Sequence, residues 1–218
     1  MFIGHYGVSF AARARAPSVS LGAFFVAVQA LDVCFAFFVL GGAEHMRIVP
    51  GFTAYNPYDL YDIPLSHSLV AALGWSVVAA GIAMALRKGR AVAILLALAV
   101  FSHFVLDLPV HTPDLTVAGA GSAKLGLGLW NHVAATLALE VAVLGIGLFL
   151  YVRDARRRDV VLGRRFSVFA ASLVVLTVVT PFLPPPASPA IFAIQALGAY
   201  VGLAFWAGWI DRRAIARV

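Results

Sequence analysis

Apolar residues run along this chain in six stretches, each close to the roughly 20 residues that an α-helix needs to cross a bilayer. The stretches cover residues 20–42, 64–86, 90–110, 126–152, 166–183 and 189–210. Residues 1–15 also have a helical apolar pattern, but they are too few to cross, and Pro17 stops their helix. The pattern predicts an all-α polytopic membrane bundle of six transmembrane helices, with an N-terminal half-span helix that forms a hairpin with the first span.

The composition indicates the same environment. Hydrophobic residues make up 62% of the chain and charged residues 12%, whereas about a quarter of the residues in a soluble domain are charged. The 218 residues suffice for a single integral membrane domain over 1–218, in which we expect residues 1–153 to carry the site and residues 164–212 to form two scaffold helices. The single cysteine, Cys34, excludes an intrachain disulfide.

The basic residues predict the orientation of the chain. The net charge of +6 comes from short clusters between the apolar stretches, a pattern typical of membrane topology and not of a nucleic-acid-binding surface. By the positive-inside rule, the basic N- and C-terminal segments face the cytoplasm, and the loops 43–63, 111–125 and 184–188 face outward. The arginine-rich segment 153–158 is interpreted as a topology anchor, which also suits anionic lipid headgroups.

Ionisable residues inside the apolar stretches are the strongest functional signal, because a charge is costly to place in hydrocarbon. His103 and Asp107 are spaced i, i+4 and so share one face of the third helix. A carboxylate in this position can bind a metal ion and can also orient the imidazole. The pair therefore predicts a metal or catalytic site.

Other polar residues fall at the same depth, near the outer boundary. The hairpin about Ser18 places His5 beside Asp32, His67 opens the second span, and His132 opens the fourth. Together they predict a site for a divalent metal, Zn²⁺ first and Mn²⁺ as the alternative, whose ligands come from His5, Asp32, His67, His103, Asp107 and His132. We expect Asp32 or His132 to act as the general base. Each histidine taken singly could instead hydrogen-bond to a neighbouring helix.

The remaining polar residues are interpreted more simply. His111 continues the face of His103 and Asp107, but Pro109 intervenes, so it is included only loosely. Glu140 is interpreted as a protonated or paired buried carboxyl group. Three residues, namely His45, Asp59 and Asp62, are expected in solvated outer loops.

Three short motifs resemble those of the membrane-bound metal-dependent hydrolases, the family of LexA-binding, inner-membrane-associated proteins. They are Gly4-His5, Ser66-His67-Ser68-Leu69 and Ser102-His103-Phe104-Val105-Leu106-Asp107. The resemblance covers about residues 1–110, and Ser66 stands where the family has threonine. Before its Thr-His-Ser motif, the family pattern also has an aspartate-rich segment with a His-Arg pair. Asp59 and Asp62 are the nearest equivalents of that segment in this chain. The resemblance implies a metal-dependent hydrolase of the bacterial cytoplasmic (inner) membrane.

The expected function is hydrolysis of a lipid or lipid-linked phosphoester at the outer leaflet, with membrane lipid as the expected partner. A metal held by His67, His103 and Asp107, with His5, Asp32 and His132 completing the site, would lower the pKa of a bound water. One alternative is a b-type haem and quinone electron carrier, against which the interleaved carboxylates argue. Another is a non-catalytic subunit or an ion pathway, in which the polar layer joins helices.

Overall fold

The computed structural model describes residues 1–119 and 121–215, with side chains described as far as Asp211. As predicted, this part of the chain is mostly helical. Its α-helices are α1 (Tyr6–Arg15), α2 (Leu21–Val28), α3 (Ala30–Leu40), α4 (Leu69–Ala85), α5 (Arg90–Val110), α6 (Val133–Arg157), α7 (Arg164–Val179) and α8 (Pro189–Ile215). Four short strands are β1 (His45–Ile48), β2 (Tyr58–Asp62), β3 (Leu115–Thr116) and β4 (Lys124–Leu125). Arg217, in the predicted cytoplasmic C-terminal segment, lies outside the described residues.

The long apolar helices indicate a membrane protein. Within the described chain, four helices are long and apolar enough to cross a bilayer: α5, α6, α7 with the 3₁₀ turn that follows it, and α8. The bent pair of α2 and α3 would make a fifth crossing. The predicted number of six is not confirmed, because α4 has only 17 residues. It begins at Leu69, where Ser68 caps it by accepting a hydrogen bond from the Ala71 N–H at 3.0 Å.

The predicted first span is a broken helix. The axes of α2 and α3 diverge by 54°, and Gln29 between them has a non-helical backbone at φ −101° and ψ 9°. Its buried side chain donates from Nε2 to the Phe2 carbonyl at 3.5 Å. The break also leaves the Val28 carbonyl oxygen in contact with His103. Irregular backbone at this depth is therefore satisfied by contacts within the protein.

The N-terminal hairpin forms as expected, and close packing sets its depth. Ser20 caps α2 by accepting a hydrogen bond from the Ala23 N–H at 3.2 Å. A Cβ atom on Gly7 would lie 2.1 Å from the Val143 carbonyl oxygen, and one on Gly147 would lie 2.0 Å from the Gly7 carbonyl oxygen. Only glycine allows the backbones of α1 and α6 to approach this closely. This contact fixes how far α1 reaches into the bundle.

An aromatic core lies along α1, α2 and α7. The rings of Tyr6 and Phe25 stack at 4.0 Å between centroids, and Phe10 meets Phe25 edge to face at 5.6 Å. Phe169 on α7 closes this cluster at 5.8 Å from Phe25. All four side chains are buried, so α1 is part of the core and carries the residues before it to a defined place.

Two antiparallel hairpins cover one end of the bundle, where loops were predicted. Strand β1 pairs with β2, and β3 pairs with β4. On the first hairpin, His45 Nδ1 lies 3.1 Å from Asp62 Oδ2, and Arg47 pairs with Asp59 at 2.7 Å. Asp62 is 40% exposed, in agreement with the prediction that it is solvated, whereas the Asp59 side chain is only 15% exposed because Arg47 covers it.

Candidate metal centre

One face of α5 forms the middle of a buried polar cluster. The Nε2 atoms of His103 and His111 lie 3.1 Å and 3.5 Å from Asp107 Oδ2. Pro109 does not interrupt this face, since α5 continues to Val110 and the His111 N–H donates to the Asp107 carbonyl at 2.9 Å. His111 therefore belongs to the cluster, to which the sequence assigned it only loosely.

Outer hydrogen bonds fix the orientation of two imidazoles. Nδ1 of His103 lies 2.7 Å from the Val28 carbonyl oxygen, which can only accept, so Nδ1 carries a proton and Nε2 is the nitrogen that faces the carboxylates. Nδ1 of His67 lies 2.7 Å from Ser66 Oγ, which lies 2.6 Å from Glu44 Oε2. With Glu44 ionised, the Ser66 hydroxyl would donate to Glu44 and accept from His67 Nδ1. Metal-binding histidines are commonly held by such outer partners.

His5 enters the cluster from the turn before α1. Its ring stacks on that of His103 with 3.9 Å between centroids and 9° between planes. Its Nε2 lies 3.2 Å from Asp107 Oδ1, and the Met1 nitrogen lies 2.5 Å from the same oxygen. Within the described residues, Nδ1 of His5 has no hydrogen-bond partner. A polar ring is thus buried with unused capacity.

Glu140 positions the turn that carries His5. Its carboxylate accepts from the Phe2 N–H at 3.2 Å, from the Gly4 N–H at 2.8 Å and from the Tyr55 hydroxyl at 3.2 Å. Burial raises the pKa of Tyr55, and the neighbouring Glu140 raises it further, so the hydroxyl keeps the proton that it donates. The interpretation of Glu140 as a paired carboxyl group is confirmed by these contacts.

Asp32 closes the cluster on its more open side. Its Oδ1 lies 3.3 Å from His67 Nε2 and 3.4 Å from His103 Nε2, and its Oδ2 accepts from the Tyr200 hydroxyl at 3.0 Å. The Asp32 side chain is 16% exposed, whereas that of Asp107 is 1% exposed. Access to the cluster is therefore on the side of Asp32. Tyr200 comes from α8, which was expected to be scaffold.

The donor set fits a metal ion. Two groups of three residues each have ligand atoms within 4.8 Å of one another: His5, His103 and Asp107, and Asp32, His67 and His103. Imidazole nitrogens and carboxylate oxygens are the ligands of zinc and similar ions. Nε2 of His103 is buried and has no hydrogen bond among the described residues. His103 belongs to both groups, but its Nε2 can bind only one ion. A second ion would therefore depend on Asp107, whose Oδ1 faces His5 and whose Oδ2 faces His103. The cluster could thus hold a metal ion.

His111 has an outer partner that the sequence reading did not identify. Its Nδ1 lies 2.8 Å from Asp114 Oδ1. Burial lowers the pKa of His111, but Asp114 and Asp107 raise it, and the net direction is upward. The sequence does indicate that His111 joins the cluster, because it follows Asp107 by four residues and so shares its helix face. Asp114 follows in a turn, where no periodicity indicates the direction of a side chain.

His132 is the one predicted ligand that the structure does not bring to the cluster. It precedes α6 with a non-helical backbone at φ −130° and ψ 87°, and its side chain is exposed. The ring of Trp130 instead packs on His111 at 4.1 Å between centroids. Depth alone predicted His132 as a ligand and general base. The start of α6 at Val133 turns it outward, so the ligand set is corrected to exclude it.

No protein-family model matches the chain, and no curated protein or solved structure matches it. The resemblance to the membrane-bound metal-dependent hydrolases therefore stays a prediction. The histidines and aspartate of its three motifs lie together in the structure, namely His5, His67, His103 and Asp107.

Proposed function

We propose that this chain is a membrane-embedded, metal-dependent hydrolase that acts on a lipid or lipid-linked phosphoester. One observation carries the proposal: the Nε2 atoms of His67 and His103 face the carboxylates of Asp32 and Asp107 in a buried layer. Carboxylates that face neutral imidazoles away from water are unfavourable unless a cation lies between them. The Met1 ammonium pairs with Asp107 Oδ1, which leaves Asp107 Oδ2 and Asp32 Oδ1 facing the imidazoles. The arrangement therefore favours a bound positive ion.

Not every imidazole of this cluster can be protonated at once. The rings of His5 and His103 stack at 3.9 Å, so protonation of both would place two positive charges in contact. The same stacking leaves no space between these rings for a haem macrocycle, which disfavours the electron-carrier alternative. A metal ion, proposed to be Zn²⁺, would be held by His67, His103 and Asp107, with His5 and Asp32 completing the donor set.

The roles of the surrounding side chains follow from their contacts. The bound ion would polarise the phosphoester and acidify the attacking water. When it is not itself a ligand, Asp32 is placed to accept the proton, because its Oδ1 faces the imidazoles and its side chain is more exposed than that of Asp107. The Tyr200 hydroxyl holds the other oxygen of Asp32 and so leaves Oδ1 available.

The surface near Asp32 fits a lipid substrate. Helix α3 continues from Asp32 with Phe37 and Leu40 exposed at 58% and 43%, and such an apolar surface suits an acyl chain in the bilayer. We propose six crossings, with α4 and the α2–α3 pair as the two that are least regular. Placing the basic ends in the cytoplasm then directs the Asp32 side of the cluster toward the outer leaflet.

Metal content tests the proposal directly. Detergent-purified wild type is measured by plasma mass spectrometry beside His103→Ala, with His132→Ala as the matched control because its side chain is exposed and outside the cluster. We expect about one or two divalent ions per chain in wild type and in the control, and their loss in His103→Ala. Folded wild type that binds no divalent ion after reconstitution would contradict the proposal.

Activity is the second measurement. The metal-loaded protein is assayed on a panel of phospholipids and lipid-linked phosphoesters, before and after chelation. We expect hydrolysis that is lost on chelation and restored by the same ion. A fully loaded protein that is inactive on every member would leave the metal as structural, as in the non-catalytic subunit alternative.

A further inference from the structure

A groove lined by apolar residues runs between α1, α5 and α6, away from the polar cluster. Its volume is about 630 Å³. Small side chains on α1, including Ala11 and Ala14, leave it open, and Val8, Leu95 and Leu98 form its apolar walls. A groove of this volume between apolar helices can hold part of a flexible hydrocarbon chain.

The mouth of this groove is basic. It is lined by Arg15 from α1 and by Arg153 and Arg157 from α6, which are spaced i, i+4 and so share one helix face. Among the residues that the structure describes, none of these three arginines forms an ion pair. Asp154 also lines the mouth, but its carboxylate pairs with Arg158 at 2.9 Å. Three guanidinium groups are therefore left for an anion.

The same two arginines of α6 line a second groove. This one has a volume of about 520 Å³, and Leu148, Phe149 and Val152 provide its apolar part. The basic pair Arg153 and Arg157 thus lies between two apolar surfaces. A phosphate with hydrocarbon chains attached would match this combination of charge and shape, whereas a free phosphate would use only the arginines.

We propose that the groove between α1, α5 and α6 is a binding site for an anionic phospholipid, whose phosphate contacts Arg15, Arg153 and Arg157 and whose acyl chain lies in the apolar groove. Guanidinium groups bind phosphate in a bidentate manner. The basic end of the bundle is the one that faces the anionic leaflet under the positive-inside rule. This site is separate from the metal centre and does not depend on its activity.

The test is lipid binding to the full chain by native mass spectrometry. Detergent-purified protein is titrated with phosphatidylglycerol or phosphatidylcholine. The triple variant Arg15→Gln/Arg153→Gln/Arg157→Gln is compared with Arg87→Gln/Lys88→Gln/Arg164→Gln, which removes the same charge from exposed residues outside these grooves. We expect the first variant to lose phosphatidylglycerol binding about tenfold or more and the second to change it by less than about threefold.

A second variant tests the hydrocarbon contact without a change of charge. Ala11→Leu fills part of the groove and should weaken phosphatidylglycerol binding while all three arginines remain. Inorganic phosphate added at the same concentration should not compete. Equal binding of both lipids, equal loss in the two triple variants, or competition by free phosphate would each overturn the proposal.

Discussion

Two buried ionic sites lie near opposite ends of α1, and they differ in how completely their polar atoms are paired. At the end of the helix, Arg13 Nε lies 3.1 Å and 2.9 Å from the two oxygens of Asp211. The same carboxylate accepts from the Leu21 N–H at 3.0 Å and from the Tyr151 hydroxyl at 3.1 Å. Asp211 is thus fully paired, and the site joins α1, α2, α6 and α8.

The cluster at the start of α1 is paired less completely. Buried nitrogens of His5 and His103 have no hydrogen-bond partner among the described residues. An unsatisfied buried polar group costs about 1–3 kcal/mol, so a purely structural site is expected to resemble that of Arg13 and Asp211. The difference teaches that one buried ionic site holds helices together, while the other has unpaired nitrogens that the proposed metal ion would use.

The largest expected effect comes from Asp107→Asn. Because both oxygens of Asp107 face imidazoles, we expect metal binding to fall by more than the roughly 10–100-fold that loss of an outer partner costs. Metal content per folded chain is the measurement. Asp211→Asn is the control, since it changes the other buried carboxylate and should leave the metal content unchanged. Equal metal loss in both variants would remove the distinction between the two sites.

Arg13→Met tests the structural site. It leaves the buried carboxylate of Asp211 without its partner, and we expect a loss of about 3–5 kcal/mol in the free energy of unfolding. Thermal unfolding in detergent measures it. The exposed Arg15 on the same helix is the control, and Arg15→Met should change stability by less than about 0.5 kcal/mol. An Arg13→Met variant that keeps its stability but loses metal would contradict the structural role given to Arg13 and Asp211.

Ser66→Ala tests whether the outer partner of His67 matters. It removes the acceptor for Nδ1, which frees the ring to rotate, and we expect metal affinity to fall about 10–100-fold. Competition with a chelator measures this affinity. Ser68→Ala removes the cap of α4 two residues away and should cost about 1 kcal/mol of stability with unchanged metal affinity. If Ser66→Ala and Ser68→Ala have the same metal affinity, Ser66 does not orient His67.

The smallest expected effect is that of Tyr200→Phe. It removes one hydrogen bond to Asp32 but no predicted ligand, so we expect activity to fall about threefold to tenfold at unchanged metal content. Tyr58→Phe, a half-buried tyrosine outside the cluster, is the control. A rate of hydrolysis equal to that of wild type would mean that Asp32 does not need Tyr200 to remain in position.

The break between α2 and α3 shows where sequence reasoning fails for the fold. The apolar stretch 20–42 has the length and composition of one continuous span, and neither glycine nor proline lies at residues 28–30. The helix breaks at Gln29 because tertiary contacts occur there, through its side chain and the Val28 carbonyl. No local propensity predicts a break that depends on residues far away in the chain.

The polar cluster shows the same division. Depth along the helices correctly brought His5 and Asp32 to the level of His103, because helical rise depends only on residue counts. Depth also selected His132, whose side chain is exposed, and it assigned no role to Tyr200 or Glu44. These errors share a cause, since depth does not specify the rotation of a helix or the path of a loop.

The sequence by itself determined the membrane character of the chain, the α1–α2 hairpin and the His103–Asp107 pair. Each of these depends on hydrophobicity, on capping and turn residues, or on helical periodicity, and all of these act locally. Only the tertiary structure decided which polar residues meet, including His111 and excluding His132. That decision depends on close packing such as that of Gly7 against Gly147, because helix contacts set the direction in which each side chain points.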